Sequence, residues 1–116
     1  MFASVLYIQL TLGNGQRVIR ERALIRSKDG KFFIDSIEAD SIKLLFKRSR
    51  DTMLTNEKFE IVLELTSEVE IPKRSFVKIG EAILEVEKIE PYRFRVSKIL
   101  KGGFIKSGNE VKIVKF

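Results

Sequence analysis

The chain has 116 residues, 44% of them hydrophobic and 33% charged, which is typical of one ordered globular domain over residues 1–116. Because it contains neither cysteine nor histidine, disulfides, thiolate chemistry and histidine-based metal sites and catalytic pairs are excluded, and we expect a binding protein rather than an enzyme. The 22 Lys and Arg against 16 Asp and Glu give a net charge of +6, which favours anionic partners, although the ion-pair networks of thermophile-like surfaces account for the same composition.

The first third of the chain predicts a β-hairpin. Apolar residues alternate with polar ones over residues 2–12, and Asn14-Gly15 supplies the positive φ angles of a tight primed turn, so residues 17–26 should return antiparallel. The opening residues lack a positively charged start and a cleavage site. Since Gln9 and Thr11 also interrupt their apolar run, we expect a cytoplasmic protein without a membrane span.

The middle of the chain predicts further strands. A turn at Asp29-Gly30 leads into "KFFID", and clean alternation marks strands over residues 41–47 and 58–65. Residues 35–47 also fit an amphipathic helix with Ile37, Ser41, Leu44 and Leu45 on one side. We favour the strand, because the apolar positions of "SIKLLFK" alternate with lysines.

The last third contains "SFVKI", "EAILEVEKI", "YRFRVSKIL" and "EVKIVKF", separated by glycine- and proline-containing turns. In "YRFRV" we expect Tyr92, Phe94 and Val96 to fill the core. Eight to ten short strands without a long helical period predict an all-β fold with little helix, either an antiparallel barrel or a sandwich. The expected architecture is one small antiparallel β-barrel of six or more strands.

Arginines dominate the second predicted strand, "VIRERALIR". On a continuous strand Arg20, Arg22 and Arg26 share one face, with Ile19, Ala23 and Ile25 on the other. Guanidinium groups are forked donors suited to phosphate, so this face is our predicted anion-binding site. The candidate ligand-binding residues are Arg17, Arg20, Arg22 and Arg26. The alternative is an ordinary solvated face, neutralised by Glu60 and Glu64 of a neighbouring strand.

Two further basic groups lie in predicted loops. They comprise Lys47, Arg48 and Arg50 in one loop and Lys73 and Arg74 in the other. If the loops gather with the arginine strand at one rim of the barrel, the three groups form one strongly positive surface. Asp35, Glu38 and Asp40 lie close together but lack the spacing of a calcium loop. The sequence therefore predicts no catalytic residue, metal site or cofactor.

The order of elements over residues 17–99 resembles a PilZ domain, a small β-barrel whose members commonly bind cyclic di-GMP. Arg22 and Arg26 in "RALIR" match the family's RxxxR motif, which grips the nucleotide. In the second motif, DxSxxG, this chain has Ser36, Glu38 and Ser41 in place of Asp, Ser and Gly. The resemblance implies a PilZ-like split barrel and a non-enzymatic regulatory or interaction module that holds a phosphate-bearing ligand through its arginines.

Residues 99–114, "ILKGGFIKSGNEVKIV", are similar to the hairpin that ends the second-domain barrel of translation elongation factors. We expect Phe104, Ile105, Val111 and Ile113 to face inward there. Two other functions remain open. One is a nucleic-acid-binding barrel in which the arginines and the loop over residues 47–50 contact phosphates, and the other is a structural or assembly protein whose edge strands pair with a protein partner.

Overall fold

The computed structural model describes residues 2–48 and 55–115, and every regular element within those ranges is a β-strand. The strands of the first half are β1 (Ala3–Thr11), β2 (Arg17–Arg20), β3 (Arg22–Lys28), β4 (Lys31–Ile34), β5 (Ile37–Ala39) and β6 (Lys43–Lys47). Those of the second half are β7 (Glu60–Leu65), β8 (Arg74–Ile79), β9 (Ala82–Glu90), β10 (Arg93–Lys101), β11 (Gly103–Lys106) and β12 (Glu110–Val114). The all-β prediction is confirmed, and so is the strand interpretation of residues 35–47.

Seven strands close into a barrel in the order β12-β8-β9-β10-β6-β7-β1, because β1 pairs with both β7 and β12. β2 extends the same sheet along the second half of β1. The barrel is antiparallel, as predicted, except that β6 and β7 run parallel. A parallel pair requires a long connection, which residues 48–59 supply.

The remaining strands form a separate four-stranded sheet in the order β11-β3-β4-β5, which we call the side sheet. Two-residue turns join β3 to β4 and β4 to β5. Asp29, Gly30, Asp35 and Ser36 all have positive φ, the conformation that type I′ hairpin turns require. The side sheet packs its inner face against the barrel, where Ala23, Ile25, Ile34 and Ile105 join the common core.

The hairpin between β1 and β2 is confirmed, but its turn differs from the expected one. Only Gly15 takes a positive φ, of 84°, while the side chain of Asn14 accepts a hydrogen bond from the Gln16 amide at 2.9 Å. The Leu12 amide donates to the Gln16 carbonyl at 2.8 Å, which closes a three-residue loop. The chain therefore uses a loop with one left-handed residue instead of a primed turn.

The predicted strand over residues 17–26 is wrong as a continuous element. The chain bends at Glu21, so β2 belongs to the barrel sheet and β3 to the side sheet. Even-numbered residues point inward before the bend, and odd-numbered residues point inward after it. Val18 packs on the core and Ile19 is 41% exposed, whereas Ala23 and Ile25 are buried. Ile19 therefore does not lie with Ala23 and Ile25, as the alternation had suggested.

Aromatic rings organise the centre of the barrel. Phe94 is fully buried and meets Phe46 edge-on, with ring centroids 5.6 Å apart, and Phe46 stacks on Phe2 at 6.0 Å. The expectation that Phe94 and Val96 fill the core is confirmed. It is wrong for Tyr92, which is 52% exposed because it lies in the turn before β10.

Candidate functional site

The outer face of the side sheet collects basic and aromatic side chains. Because Ala23 and Ile25 point inward from β3, the intervening Arg22, Leu24 and Arg26 point outward. Residues directly opposite on neighbouring strands share a face, which assigns the outward residues of β4, β5 and β11. This surface, called the basic face below, comprises Arg22, Leu24, Arg26, Lys28, Lys31, Phe33, Glu38, Phe104 and Lys106.

The basic face carries a strong excess of positive charge. Its cations are Arg22, Arg26, Lys28, Lys31 and Lys106, and its one carboxylate is Glu38, which pairs with Lys31 at 3.3 Å. Within residues 2–48 and 55–115, no carboxylate forms an ion pair with Arg22 or Arg26. The alternative in which Glu60 and Glu64 neutralise the arginine strand is not supported for Arg22 and Arg26, because the Glu60 carboxylate contacts Arg93 and the strand β7 that carries both acids does not neighbour β3.

Each of these two arginines lies over a phenylalanine ring. The guanidinium carbon of Arg22 is 4.0 Å from the ring centroid of Phe104, and that of Arg26 is 5.7 Å from the centroid of Phe33. A guanidinium above an aromatic ring is held by cation–π attraction, and its N–H donors remain directed outward around its edge. The face therefore presents two flat, positively charged platforms.

The platform at Phe104 is fixed by the turn between β8 and β9. The Phe104 amide donates to Oε1 of Glu81 at 2.9 Å, and the Phe104 carbonyl accepts from the Glu81 amide at 3.2 Å. The preceding residue, Gly80, has a φ of 57°, and a Cβ there would lie 2.4 Å from Oδ1 of Asn109 and 2.7 Å from the Phe104 carbonyl oxygen. Glycine is thus required for the turn to approach β11 this closely.

The other two candidate arginines lie elsewhere. Arg17 donates to the carbonyls of Thr55 and Asn56, at 2.7 and 3.4 Å, and so holds that segment on the barrel wall. Arg20 is exposed at the end of β2, on the side of Val18. The predicted common face of Arg20 with Arg22 and Arg26 is wrong, because the bend at Glu21 separates them into two sheets.

The loop cations do not join Arg17 in one surface. Arg48 follows β6 and pairs with Glu68, beside a groove of about 290 Å³ that Leu65 and Tyr92 also line. Arg17 contacts the segment before β7, whereas Lys47 is opposite Glu64 near the end of that strand. Because β7 has six residues, its two ends are about 17 Å apart, so Arg17 and Lys47 lie at opposite ends of this strand.

The second loop group is also engaged with its own neighbours. The Arg74 guanidinium pairs with Glu87 at 3.8 Å, and the Lys73 carbonyl accepts a hydrogen bond from the Lys88 amide at 2.7 Å. Arg50, the remaining predicted residue, lies outside the described residues. Of the eight candidates within the described residues, the structure brings only Arg22 and Arg26 together on one open face.

Sequence reasoning missed the aromatic half of the site. Phe104 was expected to face inward with Ile105, but Ile105 is buried and Phe104 is 39% exposed. Neighbouring residues on a strand point to opposite faces, so the two could not both face inward. That period, applied to "GFIK", assigns Phe104 and Lys106 to one face and Ile105 to the other.

One buried polar cluster lies on the barrel wall. Glu60 is fully buried, its Oε2 accepts from Nε of Arg93 at 3.1 Å, and its Oε1 has no partner among the described residues. Next to it, the buried Gln9 side chain donates to the Glu57 carbonyl at 2.6 Å and accepts from the Thr55 amide at 3.0 Å. These contacts fasten residues 55–57 to the barrel.

Within the described ranges, no group of three or more acidic side chains is arranged to hold a metal ion. None of the described segments forms a helix of the length and apolar character needed to cross a membrane. Comparisons with protein-family models, with curated proteins and with solved structures found no match to this chain. Any functional assignment therefore depends on the geometry and charge of the surfaces described above.

Proposed function

We propose that the protein binds single-stranded nucleic acid on the basic face. The observation that carries this proposal is the pair of Arg–Phe stacks, Arg22 on Phe104 and Arg26 on Phe33. Proteins that bind single strands combine cations for the phosphates with flat groups on which the bases stack. The basic face has both on one surface.

The spacing of the platforms supports separate bases at the two stacks. Phe104 is opposite Leu24, and Phe33 is opposite Arg26, so the rings are two strands and two residues apart. Strand spacing and rise give a separation of about 12 Å between their Cα atoms. One base cannot cover both platforms at that distance, whereas two bases of the same extended strand can each occupy one platform.

A single strand fits this surface better than a duplex. Stacking requires exposed base faces, and in a duplex those faces are covered by neighbouring base pairs. The five cations of the basic face, two of which form the stacks, supply the backbone contacts that dominate affinity for either nucleic acid. The preference for single strands therefore depends on the aromatic rings and the general affinity on the cations.

A cyclic dinucleotide is the second candidate ligand. The arginines that match the PilZ motif, Arg22 and Arg26, point outward from the same face of β3 and have no ion-pair partner among the described carboxylates. Glu38, which stands in the second motif, also points outward on this face, two strands from Arg26. Its negative charge opposes phosphate, so we place this candidate second.

Fluorescence anisotropy with labelled oligothymidine and oligouridine at low salt tests the proposal. We expect the double variant Arg22→Ala/Arg26→Ala to weaken binding at least about tenfold, because it removes two cations and both stacked guanidiniums. The matched control Lys78→Ala/Lys112→Ala removes the same charge from exposed positions on the barrel wall, and it should change affinity much less.

A second variant separates stacking from charge. Phe104→Leu retains apolar bulk but removes the ring that holds the Arg22 guanidinium flat, and the loss should be about 1–3 kcal/mol for the base that stacks on this platform. Equal losses in the charge-matched control, or tighter binding of a duplex of the same length, would contradict the proposal. Calorimetry with cyclic di-GMP on the wild type and Arg22→Ala decides whether the smaller ligand uses the same arginines.

A further inference from the structure

β2 is an edge strand, and none of the described strands pairs with its outer side. It pairs with β1 alone, at the end of the barrel sheet. The two edges of the side sheet are better protected, since β5 has only three residues and β11 is bonded through Phe104 to Glu81. Among the described strands, β2 is therefore the edge most open to another chain.

The hairpin determines which backbone groups of β2 point to solvent. The Leu12 amide donates to the Gln16 carbonyl, so Gln16 belongs to a hydrogen-bonded pair with β1. Such pairs recur at every second residue of an antiparallel ladder, which directs the backbone groups of Val18 and Arg20 towards β1. Those of Arg17 and Ile19 point away from it, to the free side.

The free side ends at the bend. Glu21 is two residues after Ile19, so its backbone groups point to the same side as those of Arg17 and Ile19. Its carbonyl accepts a hydrogen bond from the Ser107 amide at 2.7 Å. The turn after β11 thus covers the edge beyond Ile19. The N–H and C=O groups of Arg17 and Ile19 are left as a short template for strand addition.

We propose that this edge accepts an extended acidic segment of a partner protein as an added β-strand. Ile19 is 41% exposed at the centre of the edge and offers an apolar contact. Arg20 follows it, is exposed and has no ion-pair partner among the described carboxylates. Arg17 adds a second positive charge to the strand, although its guanidinium is held by the carbonyls of Thr55 and Asn56. Acidic residues on the added strand would complement these charges.

Charge also argues against a second copy of this chain at the same edge. Two β2 strands placed side by side would gather four guanidiniums, and the strand sequence "RVIR" contains no acid to offset them. The proposed interface is independent of nucleic-acid binding, because Arg22 and Arg26 lie beyond the bend, in the other sheet. The two sites can therefore be tested separately.

Hydrogen exchange measured by NMR tests the edge directly. In the free protein the amides of Val18 and Arg20 should exchange slowly and those of Arg17 and Ile19 quickly. Addition of a short capped peptide of alternating Glu and Val should slow exchange at Ile19, whereas the same peptide with Lys in place of Glu should not. No effect of the acidic peptide on Ile19 would overturn the proposal.

Two variants identify the contacts. Ile19→Pro removes the outward N–H while leaving the ladder to β1 intact, a position at which an edge strand tolerates proline. It should abolish peptide binding, while Ile19→Thr keeps the N–H and should bind. Arg20→Glu should weaken binding of the acidic peptide about tenfold and allow the Lys peptide to bind.

Nucleic-acid affinity should be unchanged in Ile19→Pro and Ile19→Thr, which leave the charge of the protein unaltered. Retained peptide affinity in both Ile19→Pro and Arg20→Glu would overturn the proposal. So would protection of Ile19 without peptide, accompanied by a dimer in size-exclusion chromatography with light scattering, because a second copy would then occupy the edge.

Discussion

The salt dependence of binding measures how many phosphates the basic face contacts. Five cations lie on this face, and Lys31 is paired with Glu38, which leaves four to contact phosphate. For single strands, each neutralised phosphate contributes about −0.7 to the slope of log K against log salt concentration. We therefore expect a slope of about −2.8, which corresponds to a loss of affinity of about 50-fold between 50 and 200 mM salt.

Single variants should change this slope in opposite directions. Arg26→Ala removes one contact, and the slope should become shallower by about 0.7. Glu38→Gln releases Lys31 and removes the one acid of the face, so the affinity should increase and the slope should become steeper. Lys78→Ala, on the barrel wall, is the control and should leave the slope unchanged. The reasoning is refuted if the wild-type slope is shallower than about −1, or if Arg26→Ala and the control behave alike.

Two further predictions concern stability, measured by urea unfolding. Arg93→Ala leaves the fully buried Glu60 without its cation and should lower the free energy of unfolding by about 3–5 kcal/mol. Replacing both Glu60 and Arg93 by methionine should recover most of this loss. An equal loss of stability in the single and the double variant would contradict this account. Gly15→Ala and Gly80→Ala each place a Cβ at positive φ, at a cost of about 1–2 kcal/mol. Only at Gly80 does the Cβ also collide with neighbouring oxygens, so Gly80→Ala should be clearly the more destabilising of the two, and similar losses would show that the close approach is unimportant.

The strands could be predicted because one face of each is buried. In "EAILEVEKI" the residues Ala82, Leu84 and Val86 are buried between more exposed neighbours, and period-two alternation is the direct consequence of a wall with one side on the core. In "FEIVLEL" Ile61 and Leu63 are buried as predicted, but Glu60 and Val62 on the opposite face are buried as well. The same rule predicts Phe94 and Val96 in the core. The parallel pairing of β6 with β7 has no comparable signal, because it depends on the path of the connection and not on the alternation within either strand.

The bend at Glu21 could not be predicted from local sequence. No glycine or proline interrupts "VIRERALIR", and its one local irregularity is the run of three charged residues Arg20, Glu21 and Arg22. The chain leaves the barrel there because β3 pairs with β4 and with the distant β11, and because the Glu21 carbonyl finds the Ser107 amide. Because β11 and Ser107 lie far away in the chain, tertiary contacts overrode the strand pattern that the residues themselves favour.

This bend also decides what each arginine can do. Before it, Arg17 is occupied by the carbonyls of the segment ahead of β7, and Arg20 lies beside a free strand edge. After it, Arg22 and Arg26 stand on aromatic rings of neighbouring strands. The net positive charge of the composition predicts an attraction to anions wherever the individual arginines lie, because electrostatic attraction acts over distances longer than a strand. The division of the arginines between a strand edge and a stacking surface follows only from pairing β3 with the phenylalanines of β4 and β11.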